Sequence, residues 1–120
     1  MAPVVVTYTD AGYTPASVMV KAGGSVMFKN ESSRESRPAT AAHPTHKVYP
    51  GSDIAKCDTP DAATTFDACR GLKTGEEWTF TLTEIGTWKY HNHLRPADTG
   101  EIVVEAAAAS GEPATSTESE

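Results

Sequence analysis

Residues Gly86 to Pro96, reading Gly-Thr-Trp-Lys-Tyr-His-Asn-His-Leu-Arg-Pro, alternate apolar and polar side chains at period two. That is the pattern of a β-strand running into a loop. Successive strand residues face opposite ways, so Trp88, Tyr90 and Asn92 share one face while Lys89, His91 and His93 share the other. The aromatic residues claim the core, which turns both histidines out of it together. Imidazoles two residues apart on a strand lie side by side, a spacing suited to gripping one metal ion. The chain holds four histidines, and the other two, His43 and His46, are closely spaced in His43-Pro44-Thr45-His46. Taken singly, each histidine reads as an ordinary surface residue. Because the two pairs exhaust the histidine content, the expectation is that His43, His46, His91 and His93 converge on one ion.

The remaining sequence supports an all-β chain. Val4–Thr9 is a β-branched run, Asp10–Pro15 reads as a turn, and Ser17–Lys21 and Ser25–Asn30 alternate as strands. From Glu31 to about Pro50 the alternation stops, predicting a long loop that carries His43 and His46; long loops inside compact domains concentrate function. Ser52–Arg70 is a second irregular stretch, with a short helix expected over Pro60–Ala68 because proline suits a first helical turn. Glu77–Leu82, the histidine strand and Gly100–Glu105 complete the strands. Residues 1–105 are read as one domain, and 106–120, small and acidic with Glu112, Glu118 and Glu120, as a disordered tail.

Composition narrows the class. At 120 residues the chain can build one core, and a net charge of −6 argues against nucleic-acid binding, which favours basic patches. No apolar run is long enough to span a membrane, and Met1-Ala2-Pro3 leads directly into a strand without a secretory leader pattern. The two cysteines, Cys57 and Cys69, lack Cys-x-x-Cys spacing, which lowers the zinc-site and thioredoxin-type readings. A disulfide is the preferred reading, with buried free thiols and metal ligation left open. A bridge of this span is worth roughly 3 kcal/mol in the chain-entropy picture and places the chain in an extracytoplasmic, oxidising compartment, periplasmic or secreted.

Two segments carry a family resemblance. "Val-x-Val-Lys-Ala-Gly-Gly-Ser-Val-x-Phe-x-Asn" near the start and "Gly-Thr-Trp-Lys-Tyr-His-x-His-Leu-x-Pro-x-x-x-Gly-x-Ile-Val-Val" near the end resemble a cupredoxin, over about residues 3 to 105. The resemblance implies a Greek-key β-sandwich and, in the usual member, a blue copper held by two His, one Cys and a weak axial Met. Against that pattern, Asn92 falls where the Cys belongs, Arg95 where a His belongs and Asp98 where the Met belongs; the earlier His falls near Ser36 or Arg37. Gly100 matches the family glycine. The blue-copper ligand set is therefore absent. The histidine pairs are instead similar to the outward His-x-His pairs of multicopper oxidases, and to small bacterial cupredoxin-like proteins with His-Pro-Thr-His and Tyr-His-x-His-Leu motifs.

The expected function is an extracytoplasmic protein holding one non-blue, type 2-like copper through four histidines, with zinc as second choice of ion. The expected use is copper binding or trafficking, with a redox or copper-trafficking protein as partner. Three alternatives stand beside it: a copper redox enzyme, either superoxide dismutase-like or a small-substrate oxidase; a metal-bridged oligomer; and a zinc-binding protein. Arg37, Asn92, Arg95 and Asp98 are candidate supports around the metal, the arginines as anion guides, with Asp53 a further candidate acceptor for an imidazole N–H. Tyr49 and Trp88 are expected to pack, and Pro44 with the cysteine bridge to hold the loop ligands in place.

Overall fold

The computed structural model describes residues 3–43 and 45–107. The expected tail, apart from Ala106 and Ala107, and the expected role of Pro44 lie outside the described residues. Among the described residues, eight strands form two four-stranded sheets. They are β1 (Val4–Thr9), β2 (Gly12–Thr14), β3 (Ser17–Lys21), β4 (Gly24–Asn30), β5 (Pro38–Thr40), β6 (Glu77–Leu82), β7 (Gly86–Asn92) and β8 (Arg95–Glu105). One sheet runs β2-β1-β4-β6 and the other β3-β8-β7-β5. The pairs β1–β4 and β3–β8 are parallel and the rest antiparallel. This is the all-β, Greek-key sandwich that the alternation and the resemblance lead one to expect.

The period-two pattern explains the core. Val6 and Tyr8 of β1, Val26 and Phe28 of β4, Phe80 and Leu82 of β6, Tyr90 of β7, and Ile102 and Val104 of β8 all point inward and are buried. Edge-to-face contacts link Phe28, Tyr13 and Tyr90, with ring centres 5.0–6.2 Å apart. Gly100 is required opposite Tyr90, because a Cβ there would collide with the tyrosine ring and hydroxyl. Tyr49 and Trp88 pack edge to face at 5.3 Å, as expected, and the Tyr49 hydroxyl accepts the Thr83 N–H at 2.9 Å.

Four local expectations are corrected. The Asp10–Pro15 turn contains a strand: Gly12, at φ +117°, tightens the reversal so that β2 can pair with β1. The loop from Glu31 to Pro50 contains β5, which pairs Pro38–Thr40 with Tyr90–Asn92. The helix expected over Pro60–Ala68 is reduced to a 3₁₀ turn at Ala62–Thr64, with another at Ile54–Lys56. Phe66–Ala68 are instead extended alongside β5, with Thr40 N–H donating to Phe66 O at 2.9 Å and Ala68 N–H to Pro38 O at 3.0 Å. Phe66, buried in the core and stacked on Phe80 at 4.9 Å, gains more from that burial than from helical propensity. The last strand starts at Arg95, five residues before the expected Gly100. His93 therefore sits in the two-residue turn between β7 and β8 rather than on a strand face.

Candidate metal centre

Three short pieces of backbone bring the histidines together. His91 lies on β7, on the opposite face from Tyr90 and Asn92. It faces away from the core, yet it is only 4% exposed because the loop after β5 folds across it. That loop is pinned where it leaves β5, with Ala41 N–H donating to Lys89 O at 2.9 Å, two residues from His91. It then turns tightly, with His46 N–H donating to Ala42 O and Val48 N–H to Ala41 O, both at 2.8 Å. The turn places His46 at φ +59°, a left-handed conformation costing a non-glycine residue about 1–3 kcal/mol, which persists where surrounding contacts over-determine it. His93 is set by its own N–H, which donates to Arg37 O at 2.8 Å.

The result is a cluster in which each of the four histidines offers a ring nitrogen, all lying within 4.8 Å of one another. His43 Nδ1 faces His91 Nε2 at 3.3 Å, and His93 Nδ1 faces His46 Nε2 at 3.0 Å. Four nitrogens each about 2.0–2.1 Å from a common ion would stand about 3 Å from their neighbours and about 4 Å from a nitrogen opposite. The donor set therefore fits a single ion with small side-chain adjustments. His46 is wholly buried, His91 nearly so, His93 half-buried and His43 exposed, so the centre opens on the His43 side. A groove of about 510 Å³ along the outer face of the sheet ends at His43 and His91, lined also by Ser17, Lys89, Thr99 and Glu101.

The electrostatics favour neutral rings at His91 and His93. Burial pushes His91 down to about 4, helped by the three neighbouring rings. Burial and the Arg37 guanidinium likewise lower His93. Both shifts favour the deprotonated ring that ligation requires.

Asp67, which the sequence did not single out, organises the back of the site. Its Oδ2 lies 2.7 Å from His46 Nδ1, a pairing that assigns the proton to Nδ1 and leaves Nε2 bare toward the cluster. Arg37 grips the same carboxylate with Nε at 2.8 Å and Nη2 at 3.0 Å, and the Cys69 N–H donates to it at 2.7 Å. Burial would raise this carboxyl, but the bonds from His46, Arg37 and Cys69 outweigh it and hold it below the usual carboxylate range. The only hint in the sequence was an acid next to Phe66, two residues before a cysteine. Cys57 and Cys69 form a disulfide.

The other expected supports are placed differently. The Arg37 side chain holds His46 through Asp67, while its backbone carbonyl accepts the His93 N–H directly. Asn92 is fully buried on the inner face, its Oδ1 accepting from Arg37 N at 2.8 Å and Leu94 N at 3.0 Å and its Nδ2 donating to Glu35 O at 3.4 Å. Asp98 accepts no imidazole N–H: Tyr8 Oη donates to it, and Arg95 lies 3.5 Å away. Arg95 is half-exposed, and among the described residues neither it nor Asp98 is hydrogen-bonded to a histidine. Asp53 caps the 3₁₀ turn at Ile54, accepting from Ala55 N at 2.9 Å.

No protein-family model matches the chain, and no curated protein does. Solved structures do. A purple cupredoxin from Nitrosopumilus maritimus aligns with a TM-score of 0.64 at 15% identity, over 85% of this chain and 99% of its own. A reduced Cu(I) form of an amicyanin variant aligns at 0.63 and 20% identity, over 88% and 84%. A copper-containing nitrite reductase from Thermus scotoductus SA-01 aligns at 0.63 and 19% identity, over 88% of this chain but 23% of its own. The fold of this chain is that of the cupredoxins.

Proposed function

On this cupredoxin fold, we propose that the chain binds one copper ion through His43, His46, His91 and His93, as a non-blue, type 2-like centre used for copper binding and delivery outside the cytoplasm. The observation that carries the reading is the cluster of four facing ring nitrogens, with Nε2 of His46 held bare by Asp67. Imidazole nitrogens suit Cu(II), and the absence of a thiolate from the cluster argues for a centre without an intense blue band. Bound copper would supply a Cu(II)/Cu(I) couple. The chain's own contribution is to favour the neutral form of His91 and His93, to orient His46 and to leave His43 as the solvent-facing edge. The copper in the neighbours' names adds to the argument for copper over zinc. All four ligands come from one chain, so a partner copy is not needed to complete the set. The disulfide favours an oxidising compartment.

A second reading, a copper redox enzyme, is favoured by the groove that reaches His43 and His91. It requires a small molecule to reach the ion there.

The test is metal analysis and EPR after loading with one equivalent of Cu(II). An axial spectrum with nitrogen hyperfine structure, lost in His43→Ala and His91→Ala variants, is the expected outcome. Azide perturbation of that spectrum would favour the enzyme. Full zinc occupancy that copper cannot displace, or no stoichiometric metal, would overturn the copper reading.

A further inference from the structure

The Cys57–Cys69 disulfide stands behind the histidine cluster and shares its supports. The Cys69 N–H donates to Asp67 Oδ1. Nη2 of Arg37, which binds Asp67 Oδ2, also lies 3.5 Å from Cys57 Sγ. Asp67 in turn holds His46. Both cysteines are half-buried. Cys69 is held at φ +64°, a left-handed conformation that costs a non-glycine residue about 1–3 kcal/mol and that the residue can abandon once the bridge opens.

We propose that this disulfide is a redox-active bridge coupled to the metal centre through Arg37 and Asp67, so that a thiol reductant that opens it weakens the histidines' grip on the ion. The proposal rests on the four-histidine reading above. A reductant thiolate attacks Cys69 Sγ, the Cys57–Cys69 bond breaks, and a mixed disulfide forms on Cys69. Cys57 leaves as a thiolate beside the Arg37 guanidinium, whose charge stabilises the leaving group. A second reductant thiol then displaces Cys69. Two electrons and one proton pass to the cysteine pair, leaving Cys69 a thiol and Cys57 a thiolate, and the reductant departs as its own disulfide.

The opened state acts on Asp67 from two sides. The new charge on Cys57 competes for Arg37 Nη2, and Cys69, released from its left-handed backbone, withdraws its N–H. The Phe66–Ala68 backbone stays bonded to β5, so the effect falls on the carboxylate and His46 rather than on the sandwich. Groups that hydrogen-bond ligating histidines typically change metal affinity about 10- to 100-fold. Linkage makes the effect reciprocal, so bound metal must oppose reduction of the bridge.

Two measurements test this. The first compares the Cu(II) affinity of oxidised wild type with that of a Cys57→Ser/Cys69→Ser double variant, by competition with a chromophoric chelator, with circular dichroism confirming that both are folded. The second uses wild type alone. It is poised in glutathione redox buffers with and without saturating Zn(II), a redox-silent probe of the same histidines, and its free thiols are alkylated and counted by mass spectrometry. The expected results are an affinity about tenfold weaker in the variant and a midpoint about 30 mV more negative with zinc, the equivalent of tenfold for a two-electron couple. If the variant does not fold, the zinc measurement decides. Equal affinities, a midpoint unmoved by zinc, or one shifted positive because the freed thiols take the metal would overturn the coupling and leave the histidine centre standing. Failure of oxidised wild type to bind either ion would overturn both.

Discussion

His91 and Asn92 are chain neighbours that face opposite ways, and the regions they enter differ in kind. Inside the sandwich, Asn92 presents an amide whose oxygen takes two backbone N–H groups and whose nitrogen reaches a carbonyl. Around it, Ser36 bonds Tyr13 and Asp98 is held by Tyr8 and Arg95. These partners are hydrogen-bonded to protein, and the region acts as a polar clasp between strands and loops. Outside, the four imidazoles face one another across gaps sized for an ion, and one of them is oriented from behind by a buried carboxylate. A one-residue step along β7 separates a cluster that stabilises the fold from one that can bind. Polar residues form a clasp or a candidate site according to whether they bond backbone groups, as Asn92 does, or face one another, as the imidazoles do.

The sharpest way to break this contrast is His46→Ala. It removes a ligand and the group that Asp67 orients, so metal affinity should fall by more than about 100-fold, beyond the range of supporting groups. Chelator competition reads the loss, while Arg37 keeps Asp67 paired and the sandwich folded. Next comes acid. The His91 and His93 rings are depressed in the folded state, so the unfolded chain binds more protons between their folded values and about 6.5. The stability they contribute is complete above about pH 6.5 and is lost as pH falls toward 4, with a ceiling for His91 of about 3 kcal/mol. Urea titrations of metal-free protein across that window should show the decline; a flat profile would mean that these rings are solvated.

Asn92→Ala should do the reverse of His46→Ala. Leaving buried backbone N–H groups unpaired should cost about 2–3 kcal/mol in denaturant unfolding, while one equivalent of metal still binds. A loss of metal stoichiometry at unchanged stability would erase the distinction between the two regions. The smallest effect belongs to Arg95→Ala. Its ion pair with Asp98 is 3.5 Å long and its side chain is 51% exposed, so stability should change by less than about 1 kcal/mol and metal affinity should stay the same.

Much of this architecture was legible beforehand because strand alternation is a local signal. The inward residues Val6, Tyr8, Val26, Phe28, Phe80 and Tyr90 follow from period two alone, and the pairing of histidines follows from their spacing. The misreadings fall where long-range contacts overrode local pattern. Pro60–Ala68 looked helical because Pro60 suits a first helical turn, yet Phe66 is drawn into the core and its neighbours join β5. Outward-facing histidines suggested exposed ones, but the loop from Ala41 to Val48 buries His46 and His91. Asp67 was invisible because a lone acid in a Thr- and Ala-rich stretch has no periodic or motif signature.

By itself, the sequence determined the fold class and the two close-spaced pairs of imidazole donors, because side-chain type and strand period are properties of neighbouring residues. Only the tertiary structure decided that those donors meet, which ring is preset by which carboxylate, and that the disulfide stands against the same supports. Those relations join residues far apart in sequence, through β5 against β7 and Phe66–Ala68 against β5, and no local pattern encodes a distance between them.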